Sequence, residues 1–363
     1  MGIGRFEIDP DITIAASLPA RVYSDPDAFA LQRERVFART WQYAGYDDLV
    51  SVAGQVFPFT LLPGALDEPL VLTRDGEDRV HCLSNVCTHR GTLVVEGAGH
   101  LQQLRCRYHG RRFGLDGRFH SMPEFERTAS FPSRSDDLPS VSLAQWERFL
   151  LVALAPAMPF DDILAPMRSR LAGLPFADLV FDAASAREYL VEANWALYID
   201  NYLEGFHIPY VHSSLATTLD YGAYAVELER YAVLQLGIAK PGERAFARSE
   251  DHRDAGRSIA AYYFWLFPTT MFNVYPWGVS VNVVTPLAVD RTRVSFLPFV
   301  WDAGARGDGA GSGLDRVERE DEAIVEAVQR GVRSRLYDRG RYSPAREAGV
   351  HHFHRLLAEF MHG

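Results

Sequence analysis

Two short loops restrict this chain more than anything else in it. The stretch NVCTHRG (85–91) carries Cys87 and His89, and RCRYHGRRFG, beginning 16 residues after His89, carries Cys106 and His109. The pattern is C-x-H followed by C-x-x-H, each beside a glycine, Gly91 or Gly110. Glycine lets a backbone turn tightly around a bulky inorganic group. Two thiolates and two imidazoles make a four-ligand set for a soft metal site. Structural zinc usually pairs like with like, cysteine with cysteine and histidine with histidine. Here each loop mixes the two, which suits a two-iron cluster holding both thiolates on one iron and both imidazoles on the other. Zinc and coincidental core residues are the alternatives.

The loops sit in a stretch, about 45 to 155, of short β-branched and aromatic runs. Asp75-Gly76 in VLTRDGEDRVHCL and Asp116-Gly117 in RFGLDGRFH are hairpin signals, so this stretch reads as a small all-β unit. Before it, SDPDAFALQRERVFARTW (24–41) reads as a capped helix with Pro26 in the first turn and Val36, Phe37 and Trp41 on its apolar side. After Pro156 helices are expected to about residue 220, then a β-rich region through YYFWLFPTTMFNVYPWGVSVNVVTPL and RVSFLPFVW. A glycine-rich insert, AGARGDGAGSG (303–313), leads into a final helical section.

Bulk properties exclude several classes. A net charge of −10 argues against nucleic acid as a partner. Three cysteines, the third being Cys82, are no disulfide framework. No apolar run approaches the roughly 18 residues of a membrane span. The N-terminus lacks the basic-then-apolar order of a secretory signal, so a cytoplasmic location is expected.

A second constellation lies in NYLEGFHIPYVH (201–212), where His207 and His212 stand five apart around Pro209. Asn194 is a cap candidate, and Trp195, Tyr198, Tyr202 and Phe206 recur at helical spacing. Pro209 disfavours the α region for Ile208, so the helix is expected to end near His207. The turn would let His212 swing back towards His207 to share one metal; two satisfied core histidines are the plainer alternative.

CTHRG and CRYHG resemble the ligand loops of Rieske [2Fe–2S] proteins. With a spare cysteine rather than an extra pair, and no anchor, the resemblance is to the ferredoxin or oxygenase branch. More than 200 residues remain beyond a Rieske domain, too many for an electron carrier alone. NWALYIDNYLEGFHIPYVH in turn resembles the mononuclear iron motif of Rieske non-haem iron oxygenases, in its wording most like the choline-monooxygenase-like branch. The resemblance implies an α+β chain: a small all-β Rieske domain (45–155) inserted into a helix-grip catalytic domain of antiparallel sheet plus helices (1–44 and 156–363).

It further implies a Rieske cluster on Cys87, His89, Cys106 and His109, and a mononuclear Fe(II) on His207, His212 and a downstream carboxylate. On EREDEAIVEAVQRGVRSRL (318–336), Asp321 shares a stripe with Val325, Val328, Val332 and Leu336, and matches the family's acidic pair followed by Gln329; Glu320 is the runner-up. Glu204 falls where the family places a carboxylate bridging the iron histidine to a neighbouring subunit's cluster ligand, His109. Many members carry aspartate there. Asn201 matches a frequent asparagine beside the iron ligands. The implied activity is that of a terminal oxygenase in a head-to-tail homotrimer, taking electrons from an NAD(P)H-dependent reductase or ferredoxin and using O2 on a small molecule. Monooxygenation or N-demethylation of a quaternary amine leads. Aromatic-ring dioxygenation is the alternative, and a Rieske electron-transfer or redox-sensing protein is the non-enzyme one.

Three lesser signals remain. HHFH (351–354) reads as surface or interface histidines on a terminal helix. Arg90, Arg105, Arg107, Arg111, Arg112 and Arg118 could form a basic patch that docks an acidic electron donor, or could pair with carboxylates at a subunit interface. The aromatics of 262–278 are strand core or pocket lining, where a box of rings would suit a quaternary ammonium.

Overall fold

Both Asp-Gly signals form hairpins in the computed structural model, which describes residues 4–212, 220–306 and 314–363. The first joins β3 (Glu68–Arg74) to β4 (Val80–Ser84), and the Asp75 carboxylate accepts the backbone N–H groups of Glu77 and Arg79. They lie in a compact unit of residues 38–157, the rest of the chain forming a second unit.

The first unit has three antiparallel sheets. One orders β1 (Gln42–Tyr46), β10 (Phe149–Ala153) and β9 (Ser142–Trp146); the next runs β4-β3-β2-β5 through β2 (Gln55–Leu61) and β5 (Gly99–His100). The third comprises β6 (Leu104–Arg105), β7 (Arg112–Phe113) and β8 (Phe119–Ser121). Val71, Leu83, Leu104, Phe113 and Leu138 pack in one apolar cluster that includes Cys87 and Cys106.

The second unit is built on an eight-stranded antiparallel sheet. Its path is β11 (Val180–Phe181), β18 (Arg291–Val300), β17 (Gly278–Ala288), β16 (Thr270–Tyr275), β15 (Ile259–Leu266), β14 (Ala232–Ile238) and β13 (Ala225–Glu229), with β12 (Arg187–Val191) also on β18. From β13 to β18 each strand pairs with the next in sequence. Among the described residues the α-helices of this unit are α1 (Pro26–Arg35), α2 (Phe160–Arg170), α3 (Trp195–Tyr202), α4 (Ile208–Val211), α5 (Leu314–Gly331) and α6 (Ala348–His362). Phe353 of α6 packs edge-on against both Trp195 of α3 and Trp265 of β15, so helix meets sheet through buried rings. The fold is therefore α+β, with a gripped helix layer on an antiparallel sheet. No helix among the described residues is long and apolar enough to cross a membrane.

Several local expectations are corrected. The first helix stops at Arg35, capped at its start by Asp25, and Val36, Phe37 and Trp41 are buried beyond its end. β11 and β12 interrupt the segment read as helical, because two short strands between helices carry too few residues to show a period of two. The glycine-rich insert falls mostly outside the described residues, at 307–313.

Candidate metal centres and substrate cavity

The two cysteine–histidine loops close in the same way. Gly91 and Gly110 take left-handed φ values of +72° and +75°, and each donates its N–H to the carbonyl of the cysteine four residues before it, Cys87 or Cys106. Each cysteine N–H in turn donates to the carbonyl five residues on, Thr92 or Arg111, at 2.8 Å. The cysteines are buried and their sulfur atoms are within hydrogen-bonding reach of each other. The histidines sit outward, with Nδ1 of His89 and Nδ1 of His109 3.1 Å apart. The donors thus fall into a thiol pair and an imidazole pair, the arrangement a two-iron cluster requires and a single tetrahedral ion does not. Tyr108 lies against the exposed His109 ring, centroids 3.7 Å apart.

Arg111 leaves the expected basic patch: it is 2 % exposed, paired to Asp136 at 2.6 Å and enclosed by Phe113, Phe119 and Phe131. Thr88 Oγ1 donates to the Asp136 carbonyl, so Asp136 ties both loops together. Arg107 pairs with Glu96 and Arg118 with Asp116. Arg90, Arg105 and Arg112 are exposed.

The second centre lies where α3 gives way to α4. The helix breaks before the first histidine, not after it: α3 ends at Tyr202, and Phe206 is exposed beyond it. Asn194 caps its start by accepting the Ala196 N–H. His207 then precedes α4, whose second residue is Pro209, a position where the missing N–H costs nothing. Glu204 accepts the backbone N–H of Phe206 and, at 3.0 Å, that of His207, satisfying groups left free at a helix start. One turn later His212 leaves the helix and faces His207.

Nε2 of His207 and Nε2 of His212 are 3.1 Å apart, and Oδ1 of Asp321, on α5, lies 3.5 and 3.0 Å from them. Ligands about 2.1 Å from an ion and at right angles to one another stand about 3.0 Å apart, so these three donors fit one face of an octahedral ion. The outer nitrogens are held too. Nδ1 of His207 bonds Glu204 Oε1 at 2.7 Å, and Nδ1 of His212 bonds Glu320 Oε2 at 2.8 Å. With Nδ1 engaged by a carboxylate, each imidazole presents the Nε2 lone pair inward. Burial lowers the His212 pKa, but Asp321 and Glu320 outweigh it and hold the group above the ordinary imidazole value. Asn201 Nδ2 donates to Asp321 Oδ1 at 2.6 Å, and Tyr198, one turn earlier, donates to Glu318 at 2.8 Å. Residues three apart on α3 thus meet residues three apart on α5. Gln329, buried on α5, accepts the Asn194 N–H and sets the start of α3.

The apolar stripe expected to carry Asp321 is only partly buried. Val325 and Val332 are buried, whereas Val328 is 43 % exposed and Leu336, past the helix end, is 100 % exposed. HHFH is also corrected: His351 and His354 are buried, the latter between Asp200 at 2.7 Å and Tyr342 at 2.6 Å. A three-turn amphipathic pattern does not reveal that the chain's own N-terminal segment and α3 cover that face.

A cavity of about 120 Å³ opens onto His207, His212 and Asp321. Six rings line it: Tyr198, Tyr202, Tyr224, Tyr263, Tyr275 and Phe296. Of the aromatics in 262–278, Tyr263 and Tyr275 reach the cavity, while Trp265, Phe267 and Phe272 are core. Glu318, missed from the sequence, also lines it; its spacing of three from Asp321 on one helix was the available signal.

A β-unit with a mixed cysteine–histidine loop pair and a sheet-and-helix unit with a two-histidine, one-carboxylate centre define an oxygen-using iron protein of the Rieske class. Residues 40–132 match the Rieske [2Fe-2S] domain family and residues 178–363 match the catalytic domain of the ring hydroxylating alpha subunit. Chloroplastic choline monooxygenase of Arabidopsis thaliana is 31 % identical over 97 % of this chain and 85 % of its own length. The oxygenase subunit of carnitine monooxygenase from Escherichia coli K12 is 30 % identical over 95 % and 94 %. The fold is also that of a quaternary ammonium Rieske monooxygenase solved with L-carnitine, with a TM-score of 0.79, 22 % identity and coverage of 99 % and 100 %. Naphthalene 1,2-dioxygenase from Rhodococcus sp. superposes with a TM-score of 0.74 at 17 % identity over 95 % and 94 %.

The chain belongs to the Rieske non-haem iron oxygenase family, as its catalytic α-type subunit. It is an oxidoreductase, the terminal oxygenase of a system that brings electrons from a reductase to a Rieske [2Fe–2S] cluster and a mononuclear iron and acts on a small molecule.

Proposed function

We propose that this oxygenase inserts one atom of O2 into a C–H bond of a small quaternary ammonium compound, which on an N-methyl group amounts to N-demethylation. The balance is R–H plus O2, two electrons and two protons, giving R–OH and water. The observation that carries this reading is the cavity lined by six aromatic rings beside His207, His212 and Asp321. Ring faces attract a cation that cannot hydrogen-bond, the defining property of a quaternary ammonium. At about 120 Å³ the cavity is small beside the roughly 300–1,000 Å³ of sites for drug-sized ligands. Aromatic-ring dioxygenation is the second reading, favoured by the same apolar lining.

In this reading His207, His212 and Asp321 hold Fe(II), and Cys87, His89, Cys106 and His109 hold the cluster. When bound, the iron supplies O2 activation and the cluster supplies the electrons. Asn201 fixes the Asp321 carboxylate, and Glu320 and Glu204 orient the two imidazoles through Nδ1. Glu204 also serves the neighbouring chain, because in a head-to-tail homotrimer it would accept a hydrogen bond from His109 of the partner subunit. The outward position of His109, with Nδ1 turned towards His89, supports that role. The exposed Arg90, Arg105 and Arg112 would receive an acidic NAD(P)H-linked reductase or ferredoxin. The 38–157 unit and the family match at 40–132 support a Rieske domain near 45–155 within a catalytic domain.

The test is a single turnover of chemically reduced holoenzyme under 18O2 with choline, L-carnitine and indole. One labelled oxygen atom in a quaternary-amine product, or released formaldehyde, supports the reading. A cis-diol from the arene with no quaternary-amine turnover would replace it with ring dioxygenation.

A further inference from the structure

We infer that Tyr263 and Asn282 determine specificity by donating hydrogen bonds to an oxygen substituent of the substrate, so that the cavity prefers quaternary amines bearing a hydroxyl or a carboxylate over plain tetraalkylammonium ions. This rests on the quaternary-amine reading above and narrows its substrate class.

The sheet face turned towards the helices is where apolar packing is expected. Beside the cavity it is polar instead. Gln235, Tyr263, Asn273 and Ser280 lie side by side across β14 to β17, and Asn282 follows two residues along β17 on the same face. Two residues beyond Tyr263 and Asn273, the same face returns to core at Trp265 and Met271. Polar groups placed in such a layer are unfavourable unless paired, so where each bond goes decides what the cavity offers a ligand.

Two buried hydroxyls set the direction. Tyr275 and Ser280 are each 2 % exposed. Among the described residues the Tyr275 hydroxyl bonds Tyr263 alone, and Ser280 Oγ bonds Asn282 Oδ1 alone, at 2.7 Å. A buried O–H without an acceptor is costly, so each of the two donates. Tyr275 therefore donates to Tyr263 and leaves the Tyr263 O–H free. Ser280 donates to Asn282 Oδ1 and turns the Asn282 amide nitrogen the other way. Asn273 stands between them, its Oδ1 taking the Tyr202 hydroxyl at 2.6 Å.

Both freed donors reach the cavity. Tyr263 lines it and is only half-buried. Among the described residues, the unpaired lining atoms without accessible surface are Gln235 Oε1 and Glu318 Oε1; Asn282 Nδ2, also unpaired, is not one of them and so keeps surface on the cavity side. Burial holds the Tyr263 hydroxyl above the ordinary phenol range, with the bond from Tyr275 working against it, so it stays a donor. A ligand oxygen with free lone pairs satisfies both groups. A tetraalkylammonium ion satisfies neither and leaves them unpaired in a space closed to water. The rings thus take the cationic head, and these two donors take the oxygen.

The experiment is anaerobic calorimetric titration of reduced holoenzyme with choline, L-carnitine and ethyltrimethylammonium, which is choline without its oxygen. The tighter of choline and L-carnitine identifies the oxygen as hydroxyl or carboxylate, and it should bind at least about tenfold more tightly than ethyltrimethylammonium. Tyr263→Phe should weaken that ligand about tenfold and leave ethyltrimethylammonium within about twofold, with cluster spectrum and iron content kept as the check on folding. Asn282→Leu carries the same comparison if Tyr263→Phe does not accumulate. Ethyltrimethylammonium binding as tightly as both oxygen-bearing ligands, or a loss in the variant that is equal for all three, overturns the inference and leaves the quaternary-amine reading standing. Binding by none of the three would instead overturn that reading, and this inference with it.

Discussion

The two metal centres are coded differently. Each cluster loop is one unbroken string in which a cysteine, a histidine and a left-handed glycine close on themselves through hydrogen bonds four and five residues apart. The iron centre has no such string. Its second histidine and its carboxylate are 109 residues apart, brought together by the packing of α3 and α4 on α5. A local code survives whatever the rest of the chain does, whereas a packed code depends on every contact that sets the helices. Substitutions at the two centres should therefore fail in different ways.

The largest effects should expose that difference directly. Asp321→Ala removes one of three donors and should abolish turnover and mononuclear iron while the cluster's visible spectrum and acid-labile sulfide persist. Cys106→Ala should do the reverse, losing sulfide and colour while iron remains at His207, His212 and Asp321. Iron and sulfide counts on both proteins check this; loss of both metals in either variant would show that the centres are not independently assembled. Next in size is Glu204→Gln. It keeps the shape and an acceptor for the His207 N–H but removes the charge facing Nδ1, and should lower coupled turnover about 10²-fold with both metals retained. Stopped-flow reoxidation of the reduced cluster measures it, and unchanged kinetics would remove Glu204 from the bridging role. Glu320→Gln is milder, since it orients His212 without reaching the ion, and should weaken iron binding about 10- to 100-fold. Iron retention against a chelator, compared with Asp321→Ala, reads the difference between a residue that would hold the metal and one that holds its ligand.

The same contrast governs what was legible beforehand. The cysteine–histidine loops and the two Asp-Gly hairpins are contiguous, so spacing and turn chemistry reveal them. The sheet-and-helix architecture followed from the resemblance and from long aromatic strands. Features set by tertiary packing were hidden. Arg111 reads as one of six surface arginines, yet Asp136 and three phenylalanines bury it. His354 reads as a surface or interface residue of the terminal helix, yet Asp200 and Tyr342 of its own chain enclose it. Pro209 reads as a helix stop and instead opens a new turn, because its effect depends on whether a helix is already ending before it. Glu318 is one acid among several in EREDE until Tyr198 is seen to claim one of its oxygens and the residue is found in the cavity wall.

The smallest expected effects sharpen the comparison most, because glycine serves opposite purposes at the two centres. Gly91 has φ +72° and nothing within 4 Å of where a Cβ would stand, so its requirement is conformational alone. Gly91→Ala should cost the cluster-bearing unit about 1 kcal/mol, the strain of a left-handed alanine, and leave turnover per intact cluster unchanged. Gly205, between Tyr202 and His207, has no left-handed φ, but its Cβ would stand 3.0 Å from the Tyr224 ring. Gly205→Ala should therefore push on a ring of the substrate cavity, raising the KM for the quaternary amine several-fold while leaving the bleaching midpoint of the cluster in denaturant unmoved. Denaturant midpoints followed through cluster absorbance, set beside KM for both variants, separate the two. A KM change in Gly91→Ala, or a midpoint shift in Gly205→Ala, would mean that the two centres share more of their folding code than their geometry indicates.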